Sequence, residues 1–147
     1  MGTKSIREIV EAACVSHLSA QGITGYQILP GMNLAIIDPP FVVASVEAVS
    51  NIPDIPEGLG NYLVTLTVQI MTPTGDPGTE ATVLAAHRAV SEKVASAFDD
   101  LAGLQAVFTS QGDASLYDIT FGTISDGRAE RFLGTTVNYE VECVLAG

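Results

Sequence analysis

Basic residues are scarce in this chain. Six lysines and arginines stand against seventeen aspartates and glutamates, a formal charge of −11 spread along the sequence. Binding to nucleic-acid phosphates runs on Lys and Arg contacts, so such a surface repels nucleic acid. The acid serves solubility, or a surface past which DNA moves without sticking. Long apolar runs are missing too. No stretch reaches the about 18 uninterrupted apolar residues of a membrane span. The N-terminal MGTKSIREIVEAAC carries Arg7, Glu8 and Glu11 inside its apolar pattern, unlike a secretory leader. Ile6 stands where a myristoylation pattern needs Ser or Thr.

The residues that usually carry chemistry are few. Cys14 and Cys143 share no metal or redox spacing and read as buried, reduced thiols. His17 and His87 lie on or beside the apolar faces of their helices. Neither has a second His or a Cys three or four residues away, so both read as structural rather than metal ligands. Asp99 and Asp100 read as a solvated helix end passing into a turn before Gly103. Glu140 and Glu142 read as the outer side of a strand. Gly58-Leu59-Gly60 leads into a strand, not a helix, and Gly75-Asp76-Pro77-Gly78 lacks the Lys-Ser/Thr of a phosphate loop. There is no G-x-S-x-G elbow. The expectation is therefore no catalytic residue, no metal and no cofactor.

What is present is a strong strand–turn–helix unit within 147 residues, a length that suits one domain. In YLVTLTVQIMT, Tyr62, Val64, Leu66, Val68 and Ile70 alternate with Thr65, Thr67 and Gln69, which predicts a strand with one buried face. TPTGDPGT breaks it, and Thr79 followed by Glu80 is a suitable helix start. Val83, Leu84, Val90, Val94, Ala97, Phe98 and Leu101 then form a helical stripe over 80–101, roughly 33 Å long. An amphipathic helix is predicted over 4–20, with Ser5 and Glu8 at capping-box spacing.

Tyr26 to Pro40 reads as short extended pieces, and Phe41 to Val49 as a strand with Val42, Ala44, Val46 and Ala48 on one face. NIPDIPEGLGN, spanning 51–61, is far longer than a tight hairpin needs, and its Ile52, Ile55 and Leu59 call for a docking surface, on this domain or a neighbour. After the long helix, Leu104 to Ser110 reads as a strand. Leu116 to Ser125 is another, with Tyr117, Ile119 and Phe121 on one side. Asp126-Gly127 is a hairpin signal. Thr135 to Leu145 alternates, with Val137, Tyr139, Val141, Cys143 and Leu145 inward. Arg128 and Arg131 lie near the hairpin tip, with Arg88 and Lys93 on the long helix. The expected class is α+β. Its elements are a helix and loop, two strands, the long helix and three strands (α-β-β-α-β-β-β), forming an antiparallel or mixed sheet or sandwich with the long helix on one face.

In that order, SIREIVEAACVSHL, DPPFVVASVEAV, YLVTLTVQIMTPT, ATVLAAHRAVSEKVASAFDDL and GTTVNYEVECVLAG make the chain resemble the tail terminator or tail-completion (neck) proteins of tailed bacteriophages. It departs from their pattern in the long Tyr26 to Pro40 insertion. The resemblance implies a virion structural protein, not an enzyme, assembled in the host cytoplasm. It would form a ring, typically a hexamer, that caps the tail-tube protein and meets the head–tail connector while DNA passes through its channel. Ile52, Ile55, Leu59, Pro73, Asp76, Arg128 and Arg131 then become candidate contacts between subunits or with the tube. Two other readings compete: another head–tail connector or tube component, and a small ligand-binding or enzymatic domain with its pocket under 26–40.

Overall fold

A computed structural model describes residues 5–31, 40–51, 61–74, 78, 80–129 and 131–145. The elements are α1 (Ile6–Ser19), β1 (Gln27–Pro30), β2 (Phe41–Asn51), β3 (Asn61–Pro73), α2 (Glu80–Asp99), α3 (Leu101–Gln111), β4 (Ala114–Ala129) and β5 (Phe132–Leu145). The strands form one mixed five-stranded sheet in the order β1-β2-β3-β5-β4, with β1 parallel to β2 and every other pair antiparallel. The class is thus α+β. Ile52, Ile55, Leu59 and Asp76, and the predicted cap at Thr79, lie outside the described residues.

Alternation builds the sheet as the sequence predicts for β3 and β5. Val64, Leu66, Val68 and Ile70 are buried opposite Val141, Tyr139, Val137 and Thr135. The helices cover that face: α1 on β1 and β2, α2 chiefly on β3 and β5, and α3 on the start of β4. Ser5 caps α1, its Oγ accepting from the Glu8 N–H at 3.2 Å. Val46 lies beyond the last residue of β2 that β1 pairs. There α1 supplies its backbone partners, with Arg7 donating to the Val46 carbonyl at 2.9 Å and Glu11 accepting from its N–H at 2.8 Å. Charged side chains thereby close that stretch of the β2 edge to further strands.

Four expectations are corrected. The stretch Leu104–Ser110 is helical and not a strand, and α2 stops at Asp99. Val107, Phe108 and Thr109 favour strands by propensity, but Leu104 and Phe108, one helical turn apart, are both fully buried. Asp100 starts α3, its carboxylate accepting from the Gly103 N–H at 3.1 Å, and Gly112 ends it at φ +75°. A Cβ on Gly103 would run into the Asp100 carboxylate, so this glycine belongs to a helix cap and not to a turn.

The hairpin does not turn at Asp126-Gly127. Strand pairing runs past it, with Gly127 opposite Gly134, to Ala129 opposite Phe132, and Asp126 has another use. Irregularities in register at Glu47, Tyr117 and Gly122 shift the faces. Ala48 is exposed while Val49 moves inward, and Tyr117 leaves the row that Leu116, Ile119, Phe121 and Ile124 share. Finally, the element order is α-β-β-β-α-α-β-β, and the described strands make a single sheet with helices on one face.

Asp100→Ala removes the α3 cap. We expect a loss of about 1 kcal/mol, read as a lower denaturant midpoint at unchanged slope.

Candidate functional site

Three apolar stripes end in a polar residue at the same level of the sheet. The inward row of β3 continues from Ile70 to Thr72, that of β5 from Val137 to Thr135, and α2 places His87 above them. All three are buried, and they are linked. Tyr26 Oη lies 2.6 Å from Thr72 Oγ1, which lies 2.6 Å from His87 Nδ1. His87 Nε2 lies 2.8 Å from Thr135 Oγ1, which donates to Asp126 Oδ1 at 2.7 Å.

The proton order follows from the acceptor end. The Asp126 carboxylate accepts the Thr135 hydroxyl proton, so Thr135 accepts from His87 Nε2–H. Nδ1 of a neutral ring is then an acceptor, taking the Thr72 proton, and Thr72 accepts from Tyr26. A neutral His87 in the Nε2–H form thus satisfies every member. Burial holds its pKa below the usual histidine range, with the Asp126 charge pulling weakly the other way. A second proton would force Nδ1 to donate, and the Thr72 and Tyr26 hydroxyls would have to turn.

Beside this chain runs an open trough of about 330 Å³ between α2 and the β4–β5 hairpin. Leu84, Arg88, Ser91 and Glu92 form its α2 wall, and Ile124, Asp126 and Leu133 line the sheet side. A smaller cavity continues it past Leu84 and Leu133 to Val83, Glu80 and Arg128. The trough exists because the sheet is wider than its helix layer. Opposite buried Val137 and Tyr139, the β4 residues Ile124 and Phe121 remain 54% and 55% exposed, and Leu84 on α2 is 36% exposed. Phe121 meets Tyr139 edge-on at 6.0 Å, and Tyr139 meets Phe98 at 4.8 Å, so the aromatic core runs out onto this surface.

Of the predicted contact residues, Pro73, Arg128 and Arg131 fall together at one end of the sheet. Pro73 pairs with Phe132, the Arg131 carbonyl accepts from Thr74 N–H at 2.9 Å, and both arginines are exposed. Among the described residues no group of three metal-binding side chains occurs. Both histidines are buried, as expected; His17 Nε2 donates to the Ala97 carbonyl at 2.7 Å and ties α1 to α2. Cys14 and Cys143 are buried thiols. Burial pushes the Cys143 pKa up to about 11 and that of Cys14 higher still.

The sequence reading missed the hydrogen-bonded chain and the trough. That reading puts Asp126 in a turn, Leu84 in the apolar stripe of the long helix and Phe121 on one side of its strand. The signal for the chain was available: polar residues interrupting three apolar stripes at positions the topology brings side by side. No protein-family model matches the chain, and no curated protein matches its sequence.

Two outcomes are expected. His87 has a lower pKa folded than unfolded, so the native state binds fewer protons. Its contribution to stability is complete above the ordinary histidine value of 6.5 and is lost as pH falls from there through its lower folded value. Denaturation midpoints across pH should show this decline, and His87→Gln should flatten it. The thiolate is the reactive form, so neither cysteine should react with a thiol reagent at pH 8 until the protein is unfolded.

Proposed function

We propose that this chain is a structural subunit of a phage virion, a tail-terminator-type protein whose ring caps the tail tube and meets the head connector. The observation that carries this reading is the uncovered side of the sheet. The 16-residue β4 is an edge strand. On it Tyr117, Phe121 and Ile124 are each more than half exposed. Long edges with large apolar side chains invite association, and an assembly subunit uses such a surface where a monomeric protein would blunt it.

The element sequence supports the same reading. The N-terminal helix, the strand after Asp38-Pro39-Pro40, the long β3 and the long α2 follow the order that the resemblance rests on, whereas β1 and α3 depart from it. In the ring, the acidic surface would line a channel that DNA passes without adhering. The sandwich belongs to this proposal as well. Its second layer would come from a neighbouring subunit laid against the exposed part of β4. The reading assigns no catalytic role, and it includes a homo-oligomer, the tube protein and the connector as partners.

The solution mass, followed by mixing with a polymerising tail-tube protein, tests it. We expect a ring-sized oligomer, or a monomer that binds one tube end and limits tube growth. Unlimited self-assembly would make it a tube subunit instead. A monomer indifferent to the tube would favour a small-ligand site in the trough beside His87 and Asp126.

A further inference from the structure

The trough beside α2 is long enough for a peptide segment. From Glu80 to Ala95 its α2 wall is roughly 22 Å at 1.5 Å per residue, the span of about seven extended residues. Its apolar surface comes from Leu84, Ile124 and Leu133.

Charge narrows the choice of occupant. Arg7 and Lys93 are each bound to a backbone carbonyl, of Val46 and Gly22. Arg88, Arg128 and Arg131 are exposed, and no hydrogen bond joins their guanidinium groups to another described residue. Arg88 and Arg128 line the trough, and Arg131 sits in the turn at its end. The trough's carboxylates are Glu80, Glu92 and Asp126. Asp126 accepts from Thr135 and Glu80 from the Gly78 N–H, while Glu92 stands one turn from Arg88. A second copy of this chain brings −11. Like charges oppose its approach over most of the surface, and among the described residues the exposed arginines concentrate at this rim.

We propose that the trough of one subunit receives the 52–60 segment of a second copy. That segment reads IPDIPEGLG, with Ile52, Ile55 and Leu59, two carboxylates, Asp54 and Glu57, and no base. Its apolar Ile52, Ile55 and Leu59 alternate in sequence with the acidic Asp54 and Glu57. The apolar residues would meet Leu84, Ile124 and Leu133, and the carboxylates would meet Arg88 and Arg128. Trough and segment are different surfaces, so the contact is head-to-tail and closes into a ring when the rotation permits. The inference deepens the ring reading and rests on it for closure.

Charge reversal tests it. The solution mass is measured against concentration for the wild-type chain, Arg88→Glu/Arg128→Glu, Asp54→Lys/Glu57→Lys and the four-fold variant. Circular dichroism confirms that each is folded. Each double variant should need about tenfold or more protein to assemble, and the four-fold variant should return toward wild type. Unchanged assembly of either double variant overturns the pairing, as does a four-fold variant that stays dissociated, and a wild-type ring then leaves the ring reading standing. A wild-type chain that stays monomeric at every concentration, and on a tube end, overturns both.

Discussion

The structure depends on where α2 lies. One 20-residue helix crosses a five-stranded sheet and covers chiefly β3 and β5. Val94, Ala97 and Phe98 bury one end of it, with Phe98 against Tyr139. His87 fixes the other end through hydrogen bonds to a strand on each side. Apolar burial alone is non-directional and would let the helix slide by a side chain. The hydrogen bonds to Thr72 and Thr135 permit one position. A buried polar group without partners is costly, so the chain resists displacement more than its modest net energy suggests.

That placement has a consequence one strand away. With α2 fixed over β3 and β5, and α3 over the start of β4, nothing among the described residues covers Phe121 and Ile124. The same residue that positions the helix also borders the open trough, because Thr135 and Asp126 carry the hydrogen-bonded chain from His87 to its floor. Core and surface are therefore coupled. A change that moves α2 toward β4 would close the trough and strain the Tyr26–Thr72–His87 links.

Much of the fold could be read from periodicity. Residues 64–70 and 137–143 alternate without interruption, and both proved to lie in long paired strands. The α1 and α2 stripes were equally plain, and Ser5 marked its helix start. Reading failed where two local signals conflicted. Val107-Phe108-Thr109 has strand propensity, but the four-residue spacing of Leu104 and Phe108 and the Asp100 cap decided for a helix. Asp126-Gly127 is a turn signal, overridden by cross-strand pairing that continues three residues beyond Asp126. Bulges at 117 and 122 are invisible to an alternation count, because one extra residue reverses every face after it. The trough was illegible for a different reason. Leu84 and Phe121 look like core in sequence, and only the tertiary placement of α2 shows that the layer above them is missing.

The central claim is that the β4 side of the sheet, with the facing wall of α2, is built to be covered by a partner. Amide hydrogen exchange at low and high protein concentration tests it most directly. The account predicts that the β4 amides between Ile119 and Arg128 that point away from β5 exchange fast in dilute protein and become protected as the mass rises, while those of β3 stay protected throughout. Assembly that leaves the β4 amides exchanging at their dilute rate would contradict it.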